Sequence, residues 1–156
     1  MEKYHLAQAN IARFKAPLTD PLMKEFVDFL EPVNAFAEAS PGFVWRLTDD
    51  QGRSANYLET PFKDGMMAVN ISVWEDMEAF KAFVYDSVHS YFLRNKKKWF
   101  HAKGTSLFVM WWLPAGKLPN LQMAKERLEH YEREGNSAWA FTVRQPYGPN
   151  GAPLKN

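Results

Sequence analysis

The chain has 156 residues, 46% of them hydrophobic and 24% charged, with a net charge of +1. That length bounds it to one domain, and that charge gives no electrostatic case for nucleic acid as a partner. The absence of cysteine excludes disulfides, zinc–thiolate sites and cysteine nucleophiles.

Residues 4–14 alternate in character and carry no helix cap, which predicts a first strand ended by Pro17. Asp20 as N-cap and Pro21 at the first helical position predict a helix. Leu22, Phe26, Phe29, Leu30, Val33, Phe36 and Ala37 form its apolar face, and Pro32 inside it predicts a kink or break. Ser40-Pro41-Gly42 is a turn. A second strand follows, with Phe43, Trp45 and Leu47 expected on one face. Residues 48–65 are a long polar connection, read as a lid or mobile loop. Residues 66–74 are a third strand. Met67, Val69, Ile71 and Val73 face one way, while Ala68, Asn70, Ser72 and Trp74 face the other.

Glu75 and Asp76 open a second helix, where acids suit the dipole. Its core stripe is Met77, Phe80, Val84, Val88 and Tyr91, with a parallel stripe of Tyr85, His89 and Phe92. The helix is expected to end before Trp99. The basic run from Arg94 to Lys98 reads as a solvated helix end. Residues 106–113 form a fourth strand, apolar on both faces and so covered twice. Trp111 and Trp112 point to opposite faces, one toward helices and one toward a partner's sheet. A third helix carries Leu121, Ala124, Leu128 and Tyr131 and closes at Gly135. Residues 138–143 read as a last strand. The domain spans 1–145, and 146–156 read as a flexible tail.

The order β-α-β-β-α-β, then α-β, is the split βαβ pattern of a ferredoxin-like α+β fold. An open sheet with helices on one face leaves the other bare, which predicts a homodimer through the sheet faces. No window reaches the length of a membrane span and no apolar leader is present, so the expected location is the cytoplasm.

His89 is the leading candidate for chemistry, as an acid, base or ligand near neutral pH; the competing reading is a structural histidine at the core's edge. Tyr85, one helical turn earlier, could pair with it to shuttle a proton, or simply pack against it. Asn10 and Asn70 lie within otherwise apolar strands and must find hydrogen bonds, to a substrate or a partner chain. The 12 Phe, 6 Tyr and 6 Trp suit an aromatic-lined cavity, a large interface or a bulky core. Trp45, Trp74, Phe92 and Trp99 are the candidate walls. The four His lack ligand spacing, so no metal is expected.

The stretch Ser40-Pro41-Gly42-Phe43-Val44-Trp45, with Val73-Trp74-Glu75-Asp76-Met77-Glu78-Ala79-Phe80 and His89, resembles the antibiotic-biosynthesis-monooxygenase-like superfamily of dimeric α/β barrels. Within it, Lys98-Trp99-Phe100, residues 109–116 and Ala140-Phe141-Thr142 resemble the DUF3291 family. The resemblance implies two four-stranded sheets packed across a two-fold axis, with a cavity between each sheet and its helices. Relatives include cofactor-free monooxygenases of aromatic polyketides, cyclases, and haem-degrading or haem-binding enzymes. Asn10, Trp74 and His89 match the haem-degrading pattern by type, but His89 falls about one turn beyond the haem-ligand position, which Tyr85 occupies.

Three functions are therefore expected to compete. One is a cofactor-independent enzyme acting on a flat apolar or aromatic molecule, of monooxygenase, cyclase or proton-transfer type. The others are a haem-binding or haem-modifying protein and a non-catalytic small-molecule-binding module. A fold that hosts so many chemistries does not choose among them.

Overall fold

The computed structural model describes residues 2–48, 67–85, 94–100 and 107–154. Among these are four strands: β1 (Tyr4–Arg13), β2 (Phe43–Arg46), β3 (Met67–Trp74) and β4 (Leu107–Pro114). Three α-helices accompany them: α1 (Lys24–Ala39), α2 (Met77–Val84) and α3 (Leu121–Glu134). The strands lie in the order β2-β3-β1-β4, and every neighbouring pair is antiparallel. This is the ferredoxin-like α+β arrangement, with α3 added.

Local chemistry sets the helix ends. The Asp20 carboxylate accepts from the Leu22 amide at 2.9 Å, but it caps a 3-10 turn, Pro21–Met23, and α1 begins only at Lys24. The break expected at Pro32 does not occur, and α1 runs through it to Ala39. Pro32 is exposed, so the carbonyl that loses its N–H partner there lies on the water side. Asp76 caps α2 through the Ala79 amide at 2.8 Å, and Asn120 caps α3 through Met123 at 2.7 Å. α2 ends at Val84 with Tyr85 as its C-cap, well short of the helix expected to reach toward Trp99. Its buried residues are Met77, Phe80 and Phe83; Val88 and Tyr91 lie outside the described residues, as do 49–65 of the expected lid.

Both faces of the sheet are covered within the chain. On one face Ile71, Val73, Val109 and Trp111 pack with Ala124 and Leu128 of α3. Trp111 is 0% exposed there, with the Arg127 guanidinium 5.4 Å above its ring and 3.4 Å from that of Trp139. Burial pushes the Arg127 guanidinium down to about 10, which leaves it charged at neutral pH. The bare face expected to require a partner's sheet is thus occupied by α3, and Trp111 meets that helix instead.

On the opposite face lie α1 and α2. Leu6, Trp74, Phe80, Phe83 and Met110 form one cluster with Ala37. Phe14, Met23, Phe26, Ala68 and Trp99 form another. A bulge between Phe43 and Trp45 splits the β2 face predicted to be continuous. Phe43 packs with Trp74, while Trp45 and Leu47 pack on the α3 side. A bulge adds one residue on one strand, so the alternation shifts.

The last strand is not formed. Phe141 makes one bridge to β4, with bonds of 2.7 and 3.0 Å to Met110. Ser137 and Ala140 bond each other, and Gln145 bonds Thr142, so the flanking backbone groups are satisfied locally. The segment expected to trail free after residue 145 is folded back instead. Trp112 Nε1 donates to the Tyr147 carbonyl at 2.7 Å, and Leu154 N bonds the Pro146 carbonyl at 2.8 Å.

Two changes test this packing. Leu128→Ala should cost about 2–4 kcal/mol by leaving a void against the sheet. Gly42 has φ 81°, and a Cβ there would collide with the Cβ of Ala79; Gly42→Ala should therefore cost about 1–3 kcal/mol. Urea denaturation measures both, and unchanged midpoints would contradict the packing.

Candidate functional site

Between the two apolar clusters on the α1/α2 side lies a polar row. Antiparallel register sets Gln8 opposite Ser72 and Asn10 opposite Asn70. Period-two alternation then places all four side chains on one face. Gln8 is 3% exposed and Ser72 7%; Asn10 and Asn70 are half-buried. Buried amides need partners, and these supply one another.

Gln8 is the hub. Its Nε2 donates to Asn70 Oδ1 at 2.6 Å and to Ser72 Oγ at 2.7 Å, which uses both of its protons. Its Oε1 accepts from Asn10 Nδ2 at 2.9 Å, and that nitrogen also lies 3.4 Å from Asn70 Oδ1. Trp74 Nε1 donates to Ser72 Oγ at 2.9 Å. The pattern fixes the amide orientations. Asn70 must turn its oxygen to Gln8, so its Nδ2 points away from that hub. Among the described residues Asn70 Nδ2 and Asn10 Oδ1 make no hydrogen bond. Ser72 Oγ, already accepting twice, keeps its own proton to donate. The row thus holds unspent donors and an acceptor in fixed positions.

Aromatic rings border the row. Trp74 meets Phe83 at 5.0 Å, Phe43 at 5.4 Å and Phe80 at 5.9 Å. Phe108, opposite Asn10 in register, stacks on Phe80 at 5.8 Å. Trp99 is buried beside Phe26 in the neighbouring cluster.

Of the residues singled out by sequence, the structure brings together Asn10, Asn70 and Trp74. Trp45 lies on the other face of the sheet. Tyr85 is 73% exposed. Tyr85 is the C-cap of α2. His89 and Phe92 lie outside the described residues, as does His101. Gln8 and Ser72 were missed. Their signal was present as two polar i, i+2 pairs, Gln8/Asn10 and Asn70/Ser72, inside apolar strands.

Among the described residues no group of three or more His, Cys, Asp or Glu could hold a metal ion. Nor does a described imidazole face the row: His5 shares the alternation of Ala7 and Ala9 on the α3 side, and His130 belongs to α3. An open groove of about 540 Å³ on the outer surface of α3, lined by Glu126, Glu129, His130 and Trp139 among others, is separated from the row by the sheet. Its walls are mostly charged and solvated, unlike a small-molecule site.

Residues 5–155 match the family described as "Domain of unknown function (DUF3291)". No curated protein matches the chain. Among solved structures the chain is similar to a protein of unknown function from Nitrosomonas europaea, at 15% identity over 77% of this chain and 99% of that one, with TM-score 0.51. It is also similar to a mutant of SnoaB, a cofactor-independent oxygenase from Streptomyces nogalater, at 17% identity over 74% of this chain and 98% of that one, with TM-score 0.50. A conserved protein from Methanosarcina mazei Go1 is 6% identical over 69% and 90%, with TM-score 0.52. These likenesses establish the fold.

The hub role of Gln8 has a measurable consequence. Gln8→Leu keeps the volume but removes two donors and one acceptor. It should destabilise the chain by about 1–3 kcal/mol, the cost of leaving buried partners unsatisfied. Denaturation followed by Trp fluorescence reads this directly, and a neutral outcome would mean that Gln8 does not hold the row together.

Proposed function

The chain belongs to the DUF3291 family, and we propose that it is a cofactor-independent enzyme acting on a flat aromatic molecule with an enolisable carbonyl. The observation that carries this reading is Asn70 Nδ2, oriented by a buried hub, without a hydrogen bond among the described residues, on the sheet face that also carries Trp74, Phe80 and Phe108. Preorganised N–H donors are worth most where negative charge develops on oxygen. Such a donor is suited to a carbonyl that becomes an enolate.

The fold shared with a cofactor-independent oxygenase supports oxygenation as the reaction. In that reaction a methylene beside the carbonyl system loses a proton, and the resulting enolate, held at oxygen by Asn70, passes electrons to dioxygen. A carbon–oxygen bond forms to give a hydroperoxide. Loss of water from it leaves a new carbonyl. The balance is one substrate plus one O₂ to one ketone plus one H₂O, with no external reductant. The aromatic walls exclude water and lower the local dielectric, which strengthens the Asn70 contact. His89 is the proposed proton acceptor, on its chemical type alone. Tyr85, at the end of α2, is proposed to border the entrance; Phe92 is proposed as a substrate contact on its aromatic type alone.

Anthrone is a suitable probe, because its methylene is oxidised to a ketone with this stoichiometry. Purified protein should accelerate oxygen uptake and quinone formation. Asn70→Ala should lower kcat/KM by roughly 100-fold, the loss typical of one oxyanion donor, read well below a melting temperature that also falls, because Gln8 Nε2 loses an acceptor. Binding without turnover would make the chain a non-catalytic binding module. Equal rates for the wild type and Asn70→Ala would remove the proposed role of the amide row.

A further inference from the structure

Arg46 occupies the edge of the same row. In register it lies opposite Ser72 on β3, and Ser72 lies opposite Gln8 on β1. Trp45 packs toward α3, so Arg46 next to it turns to the other side, as its partner confirms. Arg46 Nε bonds the Glu38 carboxylate of α1 at 2.8 Å. The Arg46 side chain is only 13% exposed, whereas Glu38 is 50% exposed. Arg46 Nη1 is buried and has no hydrogen-bond partner among the described residues.

A buried, unpartnered guanidinium nitrogen is destabilising and calls for an explanation. Glu38 does not supply it, because that carboxylate engages Nε and is itself half in water. The guanidinium fork is built to grip a planar, delocalised anion. Asn70 sits two residues from Ser72 on β3, diagonal to Arg46. Such diagonal positions are about 7–8 Å apart and within reach of long side chains. Asn70 and Arg46 therefore occupy neighbouring positions on one face of the sheet, and neither Asn70 Nδ2 nor Arg46 Nη1 has a hydrogen-bond partner among the described residues.

We propose that Arg46 and Asn70 together bind a delocalised oxyanion on the aromatic ligand, so that the chain selects acidic substrates over neutral ones. This rests on the small-molecule site proposed above and adds the charge of its ligand. Glu38 acts as a positioning residue, holding Nε so that Nη1 faces the row. The oxyanion has two chemical sources, a ring carboxylate or an ionised enol, and paired probes separate them.

Affinities are compared by calorimetry for 2-naphthoate against 2-naphthamide, and for 2-hydroxy-1,4-naphthoquinone against its 2-methoxy ether. In at least one pair the anion should bind tenfold or more tightly than its neutral partner, and that pair identifies the source. Arg46→Gln should abolish the preference by weakening the anion tenfold or more relative to its neutral partner, while Asn70→Ala should weaken both members. Glu38→Gln keeps the cation, removes its counter-charge and should widen the preference; it serves if Arg46→Gln fails to fold. Neutral binding with no preference for either anion overturns this inference alone. A preference unmoved by Arg46→Gln, or by Glu38→Gln where that variant stands in, does the same. No binding of any of the four probes overturns the small-molecule reading and this inference with it.

Discussion

A single buried amide, that of Gln8, organises the α1/α2 side of this sheet. It sits on the central strand, between β3 and β4, where no water competes for its protons. Its two N–H groups reach across to β3 and its carbonyl accepts from Asn10 two residues along its own strand. Each bond removes a choice from a neighbour, because an amide that has committed its oxygen must present its nitrogen elsewhere. In a low-dielectric setting such a chain is stiff, and breaking one member leaves the others unsatisfied. The orientation of Asn70 is a consequence of that arithmetic, not an independent feature.

The apolar packing makes the same point from the other direction. Two hydrophobic clusters flank the row, one around Trp74 and one around Phe26 and Trp99. α1 contributes to both, with Phe26 near its start and Ala37 near its end. The polar residues are therefore not at a frayed rim. They interrupt the core of one sheet face, with an arginine at their outer edge that one helix partly neutralises. A neutral amide row with a cation at one end is a specific electrostatic pattern, and it suits an oxygen that carries or acquires negative charge.

The third helix changes what the fold offers. A four-stranded sheet with two helices on one side would leave an apolar face for a second sheet. Here Trp111 and its neighbours on β1, β3 and β4 are buried under α3, and Arg127 closes over the indole from above. The chain solves within itself a problem that a bare sheet would solve by pairing.

The sequence by itself determined the local elements. Asp76 opened α2 and Gly135 closed α3 as expected. The alternation on β3 correctly separated Val69, Ile71 and Val73 from Asn70, Ser72 and Trp74, because side-chain direction along a strand follows from period two alone. Most of the failures involved partners distant in sequence. The apolar second face of β4 was legible, but its cover was not, since α3 and a partner sheet satisfy the same pattern. The bulge in β2 moved Trp45 across the sheet, and no local preference announced it. Asn10 and Asn70 were recognisable as polar residues in apolar strands. Only register, set by pairing across some sixty residues, joined them to Gln8, Ser72 and Arg46. A hydrogen bond between side chains is a relation between two strands, and one strand's sequence cannot state which residue of the other will stand opposite.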